Sequence, residues 1–91
     1  MYSIEFTNKY LSDLKLARKR KLDESELNIV IEKLSSGDEP LPIKYKDHNL
    51  SGNYSSYREC HIQPDWLLIY KKEKVLRILK LYRTGSHSDL F

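Results

Sequence analysis

The sequence predicts an α+β fold: an N-terminal strand and a two-helix hairpin packed on a small, mainly antiparallel twisted sheet. Three observations carry that reading. Residues 2–6 alternate apolar and polar, as a half-buried strand requires. Residues 10–34 place apolar side chains three and four positions apart, the spacing of a helical stripe. Residues 57–83 hold three further runs of branched and aromatic side chains, broken by turn residues. Helices followed by strands, rather than alternating with them, belong to a two-layer α+β arrangement.

Taken in order, Tyr2, Ile4 and Phe6 form the first strand. Thr7 or Asn8 caps a helix whose apolar stripe is Tyr10, Leu11, Leu14 and Ala17. The basic run at 18–21 ends it, cations meeting the negative pole. A second helix starts at Asp23, with Glu26 completing a capping box, and buries Leu27, Val30, Ile31 and Leu34. Gly37 stops it, and the short link between the helices predicts an antiparallel pair. Pro40 and Pro42 then enforce an extended segment. Residues 44–54 read as a loop or a weak edge strand anchored by Leu50, with a turn at Ser51-Gly52.

Residues 57–70 are the centre of the chain. Tyr57, Glu59 and His61 share one parity and Arg58, Cys60 and Ile62 the other, so this is a strand with two distinct faces. Gln63, Pro64 and Asp65 form a wide turn, because Pro64 offers no N–H to a ladder. Trp66 to Tyr70 is apolar without interruption and predicts a better buried strand. Lys72 and Glu73 turn the chain again, Val75 to Arg83 forms the last long strand, and Ser86 to Phe91 is a short tail. With His87 near its start, that tail can fold over a site as one helical turn.

At 91 residues and a net charge of +3, a single domain over 1–91 is expected, with a small core. The lone Cys60 permits no internal disulfide and suits a reducing compartment; a small residue inside the sheet is its expected role. No basic-then-apolar leader opens the chain and no run reaches the length of a membrane span, so a cytoplasmic protein with no membrane partner is expected. Positive charge is concentrated in residues 9–21 and 71–83, which suggests a polyanionic partner or an acidic protein.

The groups able to move protons are His48, His61 and His87, all in the polar C-terminal half and all at element edges. Two imidazoles flanking a phosphate can serve as base and acid. Asp65 is a further base or the group that fixes an imidazole tautomer, and Arg83 with nearby lysines can balance charge on a phosphorane-like transition state. That set suits an RNase using the 2′-hydroxyl as nucleophile. His48, His61, His87 and Cys60 are also zinc-ligand types, but their separations match no short ligand motif, and no metal is expected. Trp66 reads as a packed hairpin aromatic or a base-stacking platform.

Three stretches, YKDHNLSGNY (45–54), YRECHIQPDWLLIY (57–70) and YRTGSHSDLF (82–91), resemble the RelE/ParE superfamily of bacterial toxins. Within it they look like the YafQ-type mRNA endonucleases of type II toxin–antitoxin systems. The resemblance spans essentially the whole chain. It implies an RelE/ParE-like fold and an enzyme that enters the ribosomal A site. There it cuts mRNA by 2′-hydroxyl attack, leaving a 2′,3′-cyclic phosphate, with no cofactor. By resemblance His87 is the general acid and Asp65 or His48 the base, while His61 and Arg83 orient or stabilise the scissile phosphate. Lys46, Arg58, Trp66 and Phe91 fall in the matching motifs as RNA-binding or supporting residues. Family members can carry aspartate where this chain has Glu59, so Glu59 receives no direct catalytic role. The implied partners are mRNA, the ribosome with its rRNA, and a cognate antitoxin carrying an acidic segment. A non-catalytic toxin of the same scaffold, such as a gyrase inhibitor or inactive relative, and a plain RNA-binding module are the alternatives. The histidine set weighs against both, since binding alone calls for arginine and lysine rather than imidazole.

Overall fold

A computed structural model describes residues Met1–Phe91. The chain runs β1 (Ser3–Phe6), α1 (Asn8–Lys19), α2 (Glu24–Ser36), β2 (His48–Asn49), β3 (Arg58–Gln63), β4 (Trp66–Glu73), β5 (Ile78–Gly85) and α3 (His87–Leu90). The strands form one sheet in the order β1-β5-β4-β3-β2. Only β1 runs parallel to its neighbour, β5; the other pairings are antiparallel. The α+β expectation holds, and two layers result: α1 and α2 cover one sheet face, while the other face stays open except where α3 folds across it.

Thr7 caps α1 by accepting the Tyr10 N–H at 2.9 Å, and its own hydroxyl donates to the Tyr82 carbonyl at 2.7 Å. The helix therefore starts pinned to β5. Tyr10 and Ala17 are buried, whereas Leu11 stays 40% exposed, one position round from the stripe. Asp23 caps α2 through the Ser25 N–H at 3.0 Å rather than through a reciprocal box with Glu26. Leu27, Val30 and Leu34 fill the main core against Cys60, Ile62, Trp66, Leu68, Tyr70, Leu79 and Leu81 of the sheet.

β4 is the middle strand, so both its faces are covered, which is why Trp66–Tyr70 reads as an unbroken apolar run. Trp66, Leu68 and Tyr70 join the helix-side core, and Leu67 and Ile69 form a second, smaller core with Leu90 on the open face. Two turns depart from expectation. Gln63 stays in β3 opposite Trp66, so the hairpin closes tightly on Pro64 and Asp65, with a bulge between His61 and Gln63. Lys72 and Glu73 continue β4 opposite Leu79 and Ile78, and the chain reverses instead at residues 74–77, where Arg77 has a left-handed φ of 56°. Lys72 stays in the strand because its ammonium donates to the Gly37 carbonyl at 2.6 Å and lies over the Tyr2 ring. No helix is long and apolar enough to cross a membrane.

Candidate active site

The expected parity of β3 decides where the chemistry lies. Cys60 and Ile62 point into the helix-side core. Glu59 and His61 therefore take the open face, opposite Ile69 and Leu67 of β4. Cys60 is fully buried, and burial pushes its thiol far above the ordinary range, so it is a packing residue as expected. Glu59 is only 4% exposed, although it belongs to the polar face.

Two short elements bring the other histidines to that face. β2 pairs with the outer edge of β3, setting His48 opposite Glu59. A pair of residues cannot hold itself as a strand, and a clamp does so. Arg58 donates to Asp47 at 3.0 Å and to Asn49 at 2.6 Å, and Tyr70 donates to Asp47 at 2.5 Å. Burial first, then this bond, pushes the Tyr70 phenol far upward, while Asp47 raises Arg58. α3 brings in His87. Ser86 and Asp89 form its capping box, Leu90 plugs the second core, and Arg20 grips Asp89 through two bonds, at 2.6 and 3.2 Å. Gly85 makes the turn into α3 possible, because a Cβ there would lie 3.0 Å from the Asp89 carboxylate oxygen.

The three imidazoles are held alike. The Nδ1 of His48 lies 2.8 Å from the Lys46 carbonyl, that of His61 3.3 Å from the Pro64 carbonyl, and that of His87 2.9 Å from Asp65 Oδ1. A carbonyl or ionised carboxylate can only accept, so each Nδ1 carries the proton and each Nε2 is left for chemistry. Glu59 Oε1 lies 3.5 Å from Nε2 of His48 and 3.7 Å from Nε2 of His61. The His61 and His87 ring centroids are 5.8 Å apart. Ligand atoms of Glu59, His61 and His87 all fall within 4.8 Å of one another. Asp65 also accepts the His87 backbone N–H at 3.1 Å; the two bonds, side chain first, hold its carboxyl below the usual range.

Four expected site residues, His48, His61, Asp65 and His87, thus meet in one connected group, with Glu59 at its hub. Arg83 stands on the same face, because it lies opposite Ile69, which also lies opposite Glu59, but its side chain is paired elsewhere. Beyond Phe6 the strand β1 has ended, and the guanidinium passes the bare edge of β5 to Asp13 of α1, with bonds of 2.8 and 2.9 Å. That pairing raises the Arg83 pKa. Asp13 also accepts the Thr84 N–H at 3.1 Å. It was legible as the one acid on the α1 stripe, three residues after Tyr10. Trp66 is no stacking platform: it is 2% exposed, and its Nε1 donates to Thr84 Oγ1 at 2.9 Å. Arg58 faces its clamp. Lys46 is exposed, with its carbonyl committed to His48. Phe91 is 61% exposed and stands edge-on to Tyr54.

The profile of the YafQ toxins, bacterial toxins of type II toxin–antitoxin systems, matches residues 2–91. The chain belongs to that family. It is 43% identical over 88 residues to the mRNA interferase toxin YafQ of Escherichia coli K12, covering 97% of this chain and 94% of that relative. The YafQ chain in the crystal structure of the E. coli DinJ–YafQ complex superposes with a TM-score of 0.91 at 40% identity, covering 100% of this chain and 99% of that one. A metal-bound toxin from Helicobacter pylori superposes at 0.92 with 44% identity and full coverage of both chains. The family carries this fold, so the open face with its histidines belongs to a toxin scaffold.

Proposed function

We propose that this chain is a ribosome-dependent mRNA endonuclease toxin, a single domain over 1–91 acting in the cytoplasm and neutralised by a cognate antitoxin. One observation carries the reading: three imidazoles, each with Nδ1 tied to a protein oxygen, surround the buried Glu59 on one open face. The curated relative's name, an mRNA interferase toxin, supports the substrate class, and the DinJ–YafQ complex supports the antitoxin.

In this reading His48 Nε2 takes the 2′-hydroxyl proton as the 2′-oxygen attacks phosphorus. The P–O5′ bond breaks, and His87, entering the step as imidazolium with Nδ1–H on Asp65 and a second proton on Nε2, gives the Nε2 proton to the departing 5′-oxygen. The products are a 2′,3′-cyclic phosphate and a free 5′-hydroxyl. Asp65 is the positioning group for His87 rather than the base, since its Oδ1 already accepts both the ring and the backbone N–H of His87. His61 faces the phosphate, and Glu59 accepts a hydrogen bond from whichever neighbouring imidazole holds a proton. Arg83 fixes the end of β5 through Asp13. No metal enters these steps.

His87→Ala tests the proposal. The ring is exposed, so the fold should survive, while cleavage of translated mRNA, mapped by primer extension, should vanish. An unchanged cleavage pattern would reject the role. The Glu59, His61 and His87 donor set supports one further reading of the same cluster: it can take a transition metal such as Zn²⁺, and the metal-bound H. pylori toxin is a relative in which some metal is held. A metal there would occupy the Nε2 lone pairs and stop the reaction.

A further inference from the structure

Lys71 and Lys80 lie directly opposite each other across β4 and β5. Like charges in that position oppose sheet pairing. They share the open face. Lys72 and Leu79, the next pair along, turn to the helix side, and Lys71 Nζ lies 6.0 Å from the centre of the Tyr57 ring, which packs on the second core. Glu73 offsets one of the two, reaching Lys71 at 3.3 Å, while Lys80 has no carboxylate partner. Tyr57 and Tyr82 pack against each other beside the lysines, with ring centroids 4.7 Å apart. Along β4, Leu67 is level with His61, Ile69 with Glu59, and Lys71 with Lys80. Four residues of strand put the lysines about 13 Å from the His61 level. The face therefore carries imidazoles at one end and two ammonium groups with the two tyrosines beside them at the other.

We infer that Lys71 and Lys80, with Tyr57 and Tyr82 beside them, form a subsite for a second phosphate of the single-stranded RNA, flanking the one that is cut. The inference rests on the endonuclease reading and names which part of the substrate the far end of the face holds. A strained pair of like charges gains most from an anion lying between them. Continuity with the histidines places RNA there in preference to an acidic polypeptide, because a strand whose scissile phosphate sits at His61 and His87 must leave along the face.

The test is a cycle between protein and substrate. Lys71→Gln, Lys80→Gln and the double variant are assayed on ribosome-bound mRNA carrying one neutral methylphosphonate at successive positions around the cut. For the wild type, one position within a few nucleotides should slow cleavage on the order of tenfold or more, the scale of a charge-assisted contact. The double variant should be slowed similarly on ordinary mRNA and be indifferent to that methylphosphonate. Its melting temperature should equal or slightly exceed that of the wild type, since a repulsion has been removed. Equal sensitivity of both proteins to every methylphosphonate would overturn the subsite. So would normal cleavage by the double variant combined with lost inhibition by the antitoxin, which would reassign the lysines to an acidic protein segment. A marked fall in melting temperature would make them structural. If His87→Ala also cleaves normally, the endonuclease reading itself has failed, a result that this cycle cannot mimic.

Discussion

Thr84→Val isolates the packing beneath the site from its chemistry. Thr84 is 1% exposed, accepts the Trp66 indole N–H at 2.9 Å and donates to the Leu67 carbonyl at 2.7 Å. Valine keeps the branched shape but removes the hydroxyl, leaving the indole N–H of a residue that is 2% exposed without an acceptor. A buried donor orphaned in this way costs about 1–3 kcal/mol. For a domain of this size each kcal/mol moves the melting temperature by about 4–8 °C, so a fall of roughly 4–24 °C is expected. Differential scanning calorimetry reads it directly. Trp66→Phe in the Thr84→Val background removes the stranded donor, so the two changes should be less than additive. Well below its own transition, Thr84→Val should cleave as the wild type does, since the residue touches none of the imidazoles. Melting at the wild-type temperature would refute the buried bond. Lost activity in fully folded Thr84→Val would show that Thr84 acts beyond packing.

Three further outcomes follow from the same geometry. Asp65 is held below the usual carboxylate range by His87, so the pair is complete at neutral pH and is lost only as pH falls through that lowered value. The His87 amide signal in NMR should therefore titrate with a midpoint below that of an ordinary aspartate, and a midpoint at or above it would contradict the bond. Zn²⁺ should bind one per chain and inhibit cleavage, EDTA should restore it, and Glu59→Gln should weaken the binding measured by calorimetry; full activity at saturating Zn²⁺ would exclude a site at the imidazoles. Cys60, buried with its thiol pushed upward, should resist iodoacetamide at pH 8 in the native protein and react after denaturation, whereas rapid native labelling would contradict its burial.

Much of this arrangement is written in local pattern. The two-residue alternation at 57–62 places Cys60 and Ile62 inside and Glu59 and His61 on the other face, as found. The unbroken run at 66–70 marks the middle strand because a strand covered on both faces has no polar side. What pattern cannot supply is the partner of a charge. Arg83 looks free in sequence; seventy positions separate it from Asp13, and only the early end of β1 lets them meet. Trp66 looks like a candidate platform until Thr84 is seen to bury its indole nitrogen. Lys72 and Glu73 look like a turn because charged residues seldom extend a strand, and only the Gly37 carbonyl shows why Lys72 does. Glu59 is hidden for the same reason: nothing local says that two distant imidazoles will close over it.

The arginines explain how such a site stays assembled. All five are in ion pairs: Arg18 with Glu24, Arg20 with Asp89, Arg58 with Asp47, Arg77 with Asp38 and Arg83 with Asp13. Two of these pairs hold the elements least able to hold themselves. β2 has two residues and α3 four, both far below the length at which backbone bonds alone sustain structure. Yet these are the elements that carry His48 and His87. Each is fixed by an arginine fork on its own carboxylate and by an apolar anchor on the second core, Leu50 for one and Leu90 for the other. Each guanidinium group is thus paired with a carboxylate, and the Lys and Arg charge outside these pairs is lysine. The division of labour follows from the chemistry of the two cations: the planar fork sets geometry, and the mobile ammonium meets what arrives.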